Sequence, residues 1–151
     1  DEDERGYQPP ESLETRLARL PAQLGELEEG LAALRRARPM LGHNQPPDEF
    51  RLELDDTDLD TAQRDVSAIR TELTKPAPAE NADPAPLAAA QSGLRRFAAK
   101  LWAMALAGGK ALALGVIGGA GKTLWDERIA IYHQVSAILD TIGAWLHHLV
   151  P

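Results

Sequence analysis

The chain has 151 residues and a mass of 16.4 kDa, room for one ordinary domain or for two small helical modules joined by a linker. Hydrophobic residues make up 44%, aromatics only 5%, and cysteine is absent. A core must therefore be Leu- and Ala-rich, and disulfide frameworks, thiolate zinc sites and thiol nucleophiles are excluded. The net charge of −7 and pI near 5.1 argue against a general nucleic-acid binder, which needs a cationic face to release phosphate counterions.

The charge is unevenly spread. Residues 1–86 carry a net charge of −10 and residues 87–151 a net of +3, so the chain reads as two parts with different solvents: one acidic and proline-punctuated, the other apolar and glycine-rich. The sequence opens on Asp1 and not on Met, which points to a start that is missing, processed away or internal to a longer polypeptide. No apolar signal-peptide core follows the acidic opening. The expectation is a cytoplasmic N-terminal part and an inner-membrane-associated C-terminal half.

In chain order, residues 1–10 read as a disordered acidic tail. Residues 11–74 read as an acidic helical or coiled-coil module. Within it Leu13, Leu17, Leu20, Leu24, Leu27, Leu31 and Leu34 alternate spacings of four and three, the repeat of a coiled coil or of a helical hairpin seam. Two readings of this stripe stand side by side: self-association into a homo-oligomer, or packing on the chain's own second helix. Pro21 should kink the helix or begin a second one, and Gly25 and Gly30 each weaken it by about 1 kcal/mol relative to Ala.

Residues 39–48 form a loop, since three prolines and a glycine forbid regular structure there. A further helix is predicted from about Leu59 to Leu73, capped by Thr57 or Asp58, with Val66, Ile69 and Leu73 on one face. Residues 75–86 read as a semi-rigid Pro/Ala linker. Residues 87–151 form an apolar helical module that closes with an amphipathic helix over about Leu124–Leu149. Ile131, Val135, Ile138, Ile142, Trp145 and Leu149 make the apolar stripe of that helix. The fold class is all-α: heptad-type helices, a Pro-rich linker, an apolar helix and an amphipathic helix.

Residues 101–121 carry a single charge, Lys110, and are long enough to cross a hydrocarbon core of about 30 Å. Trp102 and Trp125 bracket the segment as interfacial residues would, with Arg95, Arg96 and Lys100 before it. Ala103, Ala107, Ala111, Gly115 and Gly119 recur every fourth position, a small-residue ridge suited to helix packing in lipid. Against a span stand Lys110, at roughly 2.5–3.5 kcal/mol near the bilayer centre, and six glycines. The competing reading is a soluble bundle broken at Gly108-Gly109 and again at residues 118–121.

Motifs that look chemical dissolve on inspection. Residues 118–123, Gly-Gly-Ala-Gly-Lys-Thr, resemble the variant phosphate loop of the ParA/MinD-type ATPases. Ile117 stands where that loop has its signature lysine, Val116 where the standard loop has its first glycine, and no second strand follows to hold magnesium. Asp56, Asp58 and Asp60 open like a calcium loop, but Thr61 replaces the turn glycine and Ser67 the bidentate glutamate. A solvated helix N-terminus explains that run better. His147 and His148 project about 100° apart on a helix and lack a metal-ligating partner at the right spacing. No catalytic, cofactor-binding or metal residues are therefore assigned, and the chain is read as a non-enzyme.

Residues 42–47, Gly-His-Asn-Gln-Pro-Pro, resemble a Gly-His-Asn-x-Pro-Pro signature near the start of small bacterial and prophage-type proteins. Those proteins often continue into an Ala/Gly-rich helical region that ends in a Trp-containing helix. Met40 sits where such a protein could begin and Trp145 fits the ending. The resemblance implies a bacterial or phage origin and carries over no activity. His43, Asn44, Pro46 and Pro47 form either an ordered loop or a short docking peptide held extended by its prolines.

Two functional readings follow. In one, the chain is a self-associating, membrane-associated helical protein, such as a small effector, a pore- or holin-like protein or a membrane scaffold, with the lipid bilayer as partner and Trp145 as anchor. In the other it is a soluble oligomeric assembly or adaptor protein whose C-terminal half is buried in the oligomer.

Overall fold

The computed structural model describes residues 11–37, 54–113 and 119–151, with side chains between 108 and 125 outside that description. Helix α1, Leu13–Ala37, starts where the Ser12 hydroxyl accepts the Thr15 backbone N–H at 3.2 Å, one of the donors that a helix start leaves orphaned. It continues through Pro21 as one helix, so the proline does not begin a second one. Pro21 lies on the exposed face, and the leucines on both sides of it are fixed in the core.

Helix α2, Asp56–Leu73, begins at a capping box. Asp58 N–H donates to Asp55 Oδ1 at 2.8 Å and Asp55 N–H to Asp58 Oδ2 at 3.1 Å. The cap is therefore Asp55, a turn before the predicted start, because the reciprocal pair satisfies two backbone donors at once. The acidic run at 55–60 is this helix start.

Residues 75–86, expected as an extended linker, are docked on the bundle. Ala77 adopts a left-handed conformation (φ 45°) and turns the chain into the short helix α3, Pro78–Asn81, and Ala79 and Ala82 are buried. The small side chains win over the proline preference because they fit beneath α1 and the last long helix. Helix α4, Pro84–Ala113, opens with Pro84 and Pro86, which cost nothing in a first turn whose N–H groups have no helical partner. Helix α5, Gly119–Leu149, follows.

Among the described residues four long helices close a ring, each packed on two others: α1 on α2 and α5, α4 on α2 and α5. Cross-contacts fix the directions. Arg35 near the end of α1 meets Asp56 and Asp60 at the start of α2, while Glu28 meets Arg70. Lys100 of α4 meets Asp58 of α2, and Trp102 of α4 lies against Tyr132 of α5. The result is an antiparallel up-down-up-down bundle. One core takes leucines 17, 20, 24, 27, 31 and 34 from α1, Leu59, Val66 and Ile69 from α2, Leu87, Leu94 and Leu101 from α4, and Ile131, Val135, Ile138, Ile142 and Trp145 from α5. The change of composition at residue 87 is not a boundary of that core.

Candidate functional site

The Leu13–Leu34 stripe is spent inside the chain. Leu20, Leu24 and Leu27 are fully buried, Leu17, Leu31 and Leu34 nearly so, and Leu13 packs partly buried at the edge. The seam assigned to self-association is therefore covered by α2 and α5 of the same chain. Gly30 shows how closely α5 approaches: a Cβ there would lie 3.0 Å from Ile131 Cγ1.

Trp145, expected as an interfacial anchor, is buried in the core. Its indole Nε1 donates to the Pro78 carbonyl at 2.9 Å, so its polar edge is satisfied by α3 and not by a headgroup region. The candidate span fares similarly. Of the candidate span, residues 101–113 belong to α4 and 119–121 to its antiparallel neighbour α5, and Leu101, Met104 and Ala105 are buried in the bundle. No helix among the described residues is long and apolar enough to cross a membrane. The small-residue ridge is divided too, with Ala103, Ala107 and Ala111 on α4 and Gly119 on α5. Gly115 and the loop with His43, Asn44, Pro46 and Pro47 lie outside the described residues, as does the 1–10 tail. So do the side chains of Lys110 and Trp125, whose backbones belong to α4 and α5. Gly119–Thr123 form the first turn of α5, and the described residues contain no strand and no group of His, Asp or Glu arranged to hold a metal.

What remains is a small apolar surface on the far half of α4. Trp102 is 45% exposed and Leu106, one helical turn on, 58% exposed; Ala103 between them is also exposed. Trp102 packs against Tyr132 with ring centroids 5.1 Å apart at a 38° tilt. Among the described residues Val150, beside the C-terminus, is the one other exposed large hydrophobic. Lys100 lies a half-turn before Trp102 and pairs with Asp58. Burial pushes the Asp58 carboxyl up, but hydrogen bonds from Lys100 and from Asp55, with the Lys100 charge, outweigh it and leave the pKa lowered.

A second feature lies between α2 and α4: an open cleft of about 310 Å³ lined by Asp58, Thr61, Ala62, Gly93, Arg96, Phe97 and Lys100. Asp65 sits beside it against Gly93. Sequence reasoning missed both members of this contact, since an aspartate and a glycine 28 positions apart give no signal until the register of the two helices is known. It also missed Glu72, a buried carboxylate that accepts Lys75 Nζ at 2.6 Å and the Asp83 backbone N–H at 2.6 Å. No protein-family model matches the chain, and neither a curated protein nor a solved structure shows significant similarity to it.

Proposed function

We propose that this chain is a non-enzymatic helical bundle that meets a membrane interface through the far end of its α4–α5 hairpin, lying on or dipping into the bilayer without crossing it. The observation that carries this reading is the exposed pair Trp102 and Leu106, at the start of a 21-residue stretch with one charge. Exposed apolar side chains grouped on one helix mark a surface that is covered in use. A tryptophan whose neighbour is tyrosine suits the headgroup level, where one side of an aromatic ring is apolar and the other wet. The acidic helix α2, with five carboxylates against two arginines, stays in water and opposes attraction to anionic lipid, so binding rests on apolar burial.

Flotation on neutral phosphatidylcholine vesicles tests this. The wild type is expected to float, and W102E/L106E to stay with the soluble fraction at unchanged helicity. A wild type that remains at the bottom and sediments as a multimer, which the double variant dissolves, would assign the same surface to self-association instead.

A further inference from the structure

Asp65 lies in the middle of α2, and its carboxylate is pressed onto the backbone of α4. Gly93 makes the approach feasible: a Cβ there would overlap the Asp65 Oδ2, so almost any other residue would force the helices apart or the carboxylate away. Oδ2 is itself buried and makes no hydrogen bond. A carboxylate oxygen in that position loses water and gains nothing in exchange. The cleft beside it opens to solvent, so protons have access to the interface.

We propose that Asp65 is a proton-binding site that sets how tightly α2 is held against α4: the interface closes when the carboxyl is protonated and loosens when it ionises. This holds whether or not the hairpin end meets a bilayer. Charged groups lie on both helices packed against α2. Arg96 faces Asp65 from α4 and Arg64 from its own helix. Lys100 of α4 is engaged with Asp58. From α1, Glu28 is bound by Arg70 and Gln63, and Arg35 by Asp56 and Asp60.

Burial is the largest influence on Asp65 and raises its pKa; Arg96 and Arg64 lower it; the balance leaves it at about 6 against an ordinary 3.8. The folded state therefore holds the proton more tightly than the unfolded chain does. Stability falls as pH rises from 3.8 through about 6 and stays reduced above it. Glu28, Asp58 and Glu72 act in the opposite sense, since their lowered pKa values mean stability lost in acid below the usual carboxylate range. The two opposing slopes place the most stable state on the acid side of neutrality.

The test is the urea unfolding constant at pH 5.0 and 7.5 and fixed ionic strength, for wild type, Asp65→Asn and His148→Gln. His148 is the control because it lies on α5, 3.7 Å from Glu80 and away from the α2–α4 interface. The wild-type unfolding constant is expected to rise about tenfold between the two pH values. Asp65→Asn is expected to remove that rise and His148→Gln to retain it. The slope is read, not the absolute stability, so a variant of altered overall stability still reports. A flat wild type, or a slope that survives in Asp65→Asn, overturns the proposal.

Discussion

Glu72 keeps a charge where charges are seldom kept: its side chain is buried at the end of α2, and both of its hydrogen bonds serve the segment leading to α4. The Lys75 hydrogen bond, then that from the Asp83 amide, hold its pKa below the ordinary 4.5 against the opposing effect of burial. Stability from Glu72 is therefore present above that value and is lost as pH falls through the folded pKa. Glu72→Ala leaves the Asp83 N–H without its acceptor and is expected to lower stability by about 1–3 kcal/mol at pH 7, the usual range for an orphaned buried partner. The same change should loosen α3, so that a glutamyl endopeptidase cuts at Glu80 faster than in the wild type. An unchanged cleavage rate would mean that the Trp145 indole on Pro78 holds the segment by itself.

At the scale of elements, α1 behaves as a wall of the chain's own core. Leu24→Lys places a charge at a fully buried position on that wall, which removes about 2–5 kcal/mol of packing and adds the cost of an unpaired buried ammonium. Against a typical total of about 5–15 kcal/mol, the helical circular-dichroism signal is expected to collapse. A variant that stays helical while its sedimenting mass drops would return the seam to an intermolecular role. The heptad spacing showed that Leu13–Leu34 is apolar on one face, and that much was legible because periodicity is local. Which surface covers that face was not, since one stripe satisfies a second copy or a second helix equally well. The stripe of α5 and the acidic start of α2 were legible for the same local reason. The docking of residues 75–86 was hidden because proline content speaks for extended chain, whereas Ala79, Ala82 and the left-handed Ala77 matter only once α5 offers Trp145 beneath them. Trp102 opens an apolar run and Trp145 closes one, and both fit an interfacial anchor by sequence, so the exposure of the first and the burial of the second were not legible.

For the whole molecule, the register of the bundle decides what reaches a surface first. Lys100 stands opposite Asp58 near the start of α2, and α4 continues for 13 residues beyond it, to Ala113, about 20 Å of helix. That length carries the exposed Trp102 and Leu106 and includes Lys110, the single charge between residues 101 and 121. If this end enters the interface, an ammonium there opposes insertion. The penalty is roughly 2.5–3.5 kcal/mol at mid-bilayer and smaller at a shallow depth, from which a lysine can snorkel. Lys110→Leu removes it, so vesicle partitioning is expected to rise by about tenfold for each 1.4 kcal/mol relieved, with Trp102 emission shifting to shorter wavelength on binding. In water without lipid, the substitution is expected to change unfolding stability by less than about 0.5 kcal/mol and to lower solubility. The two readouts separate a membrane surface from an ordinary exposed lysine. If both wild type and Lys110→Leu stay at the bottom of the flotation gradient, the hairpin end has no affinity for lipid, and the exposed pair on α4 must be covered by protein.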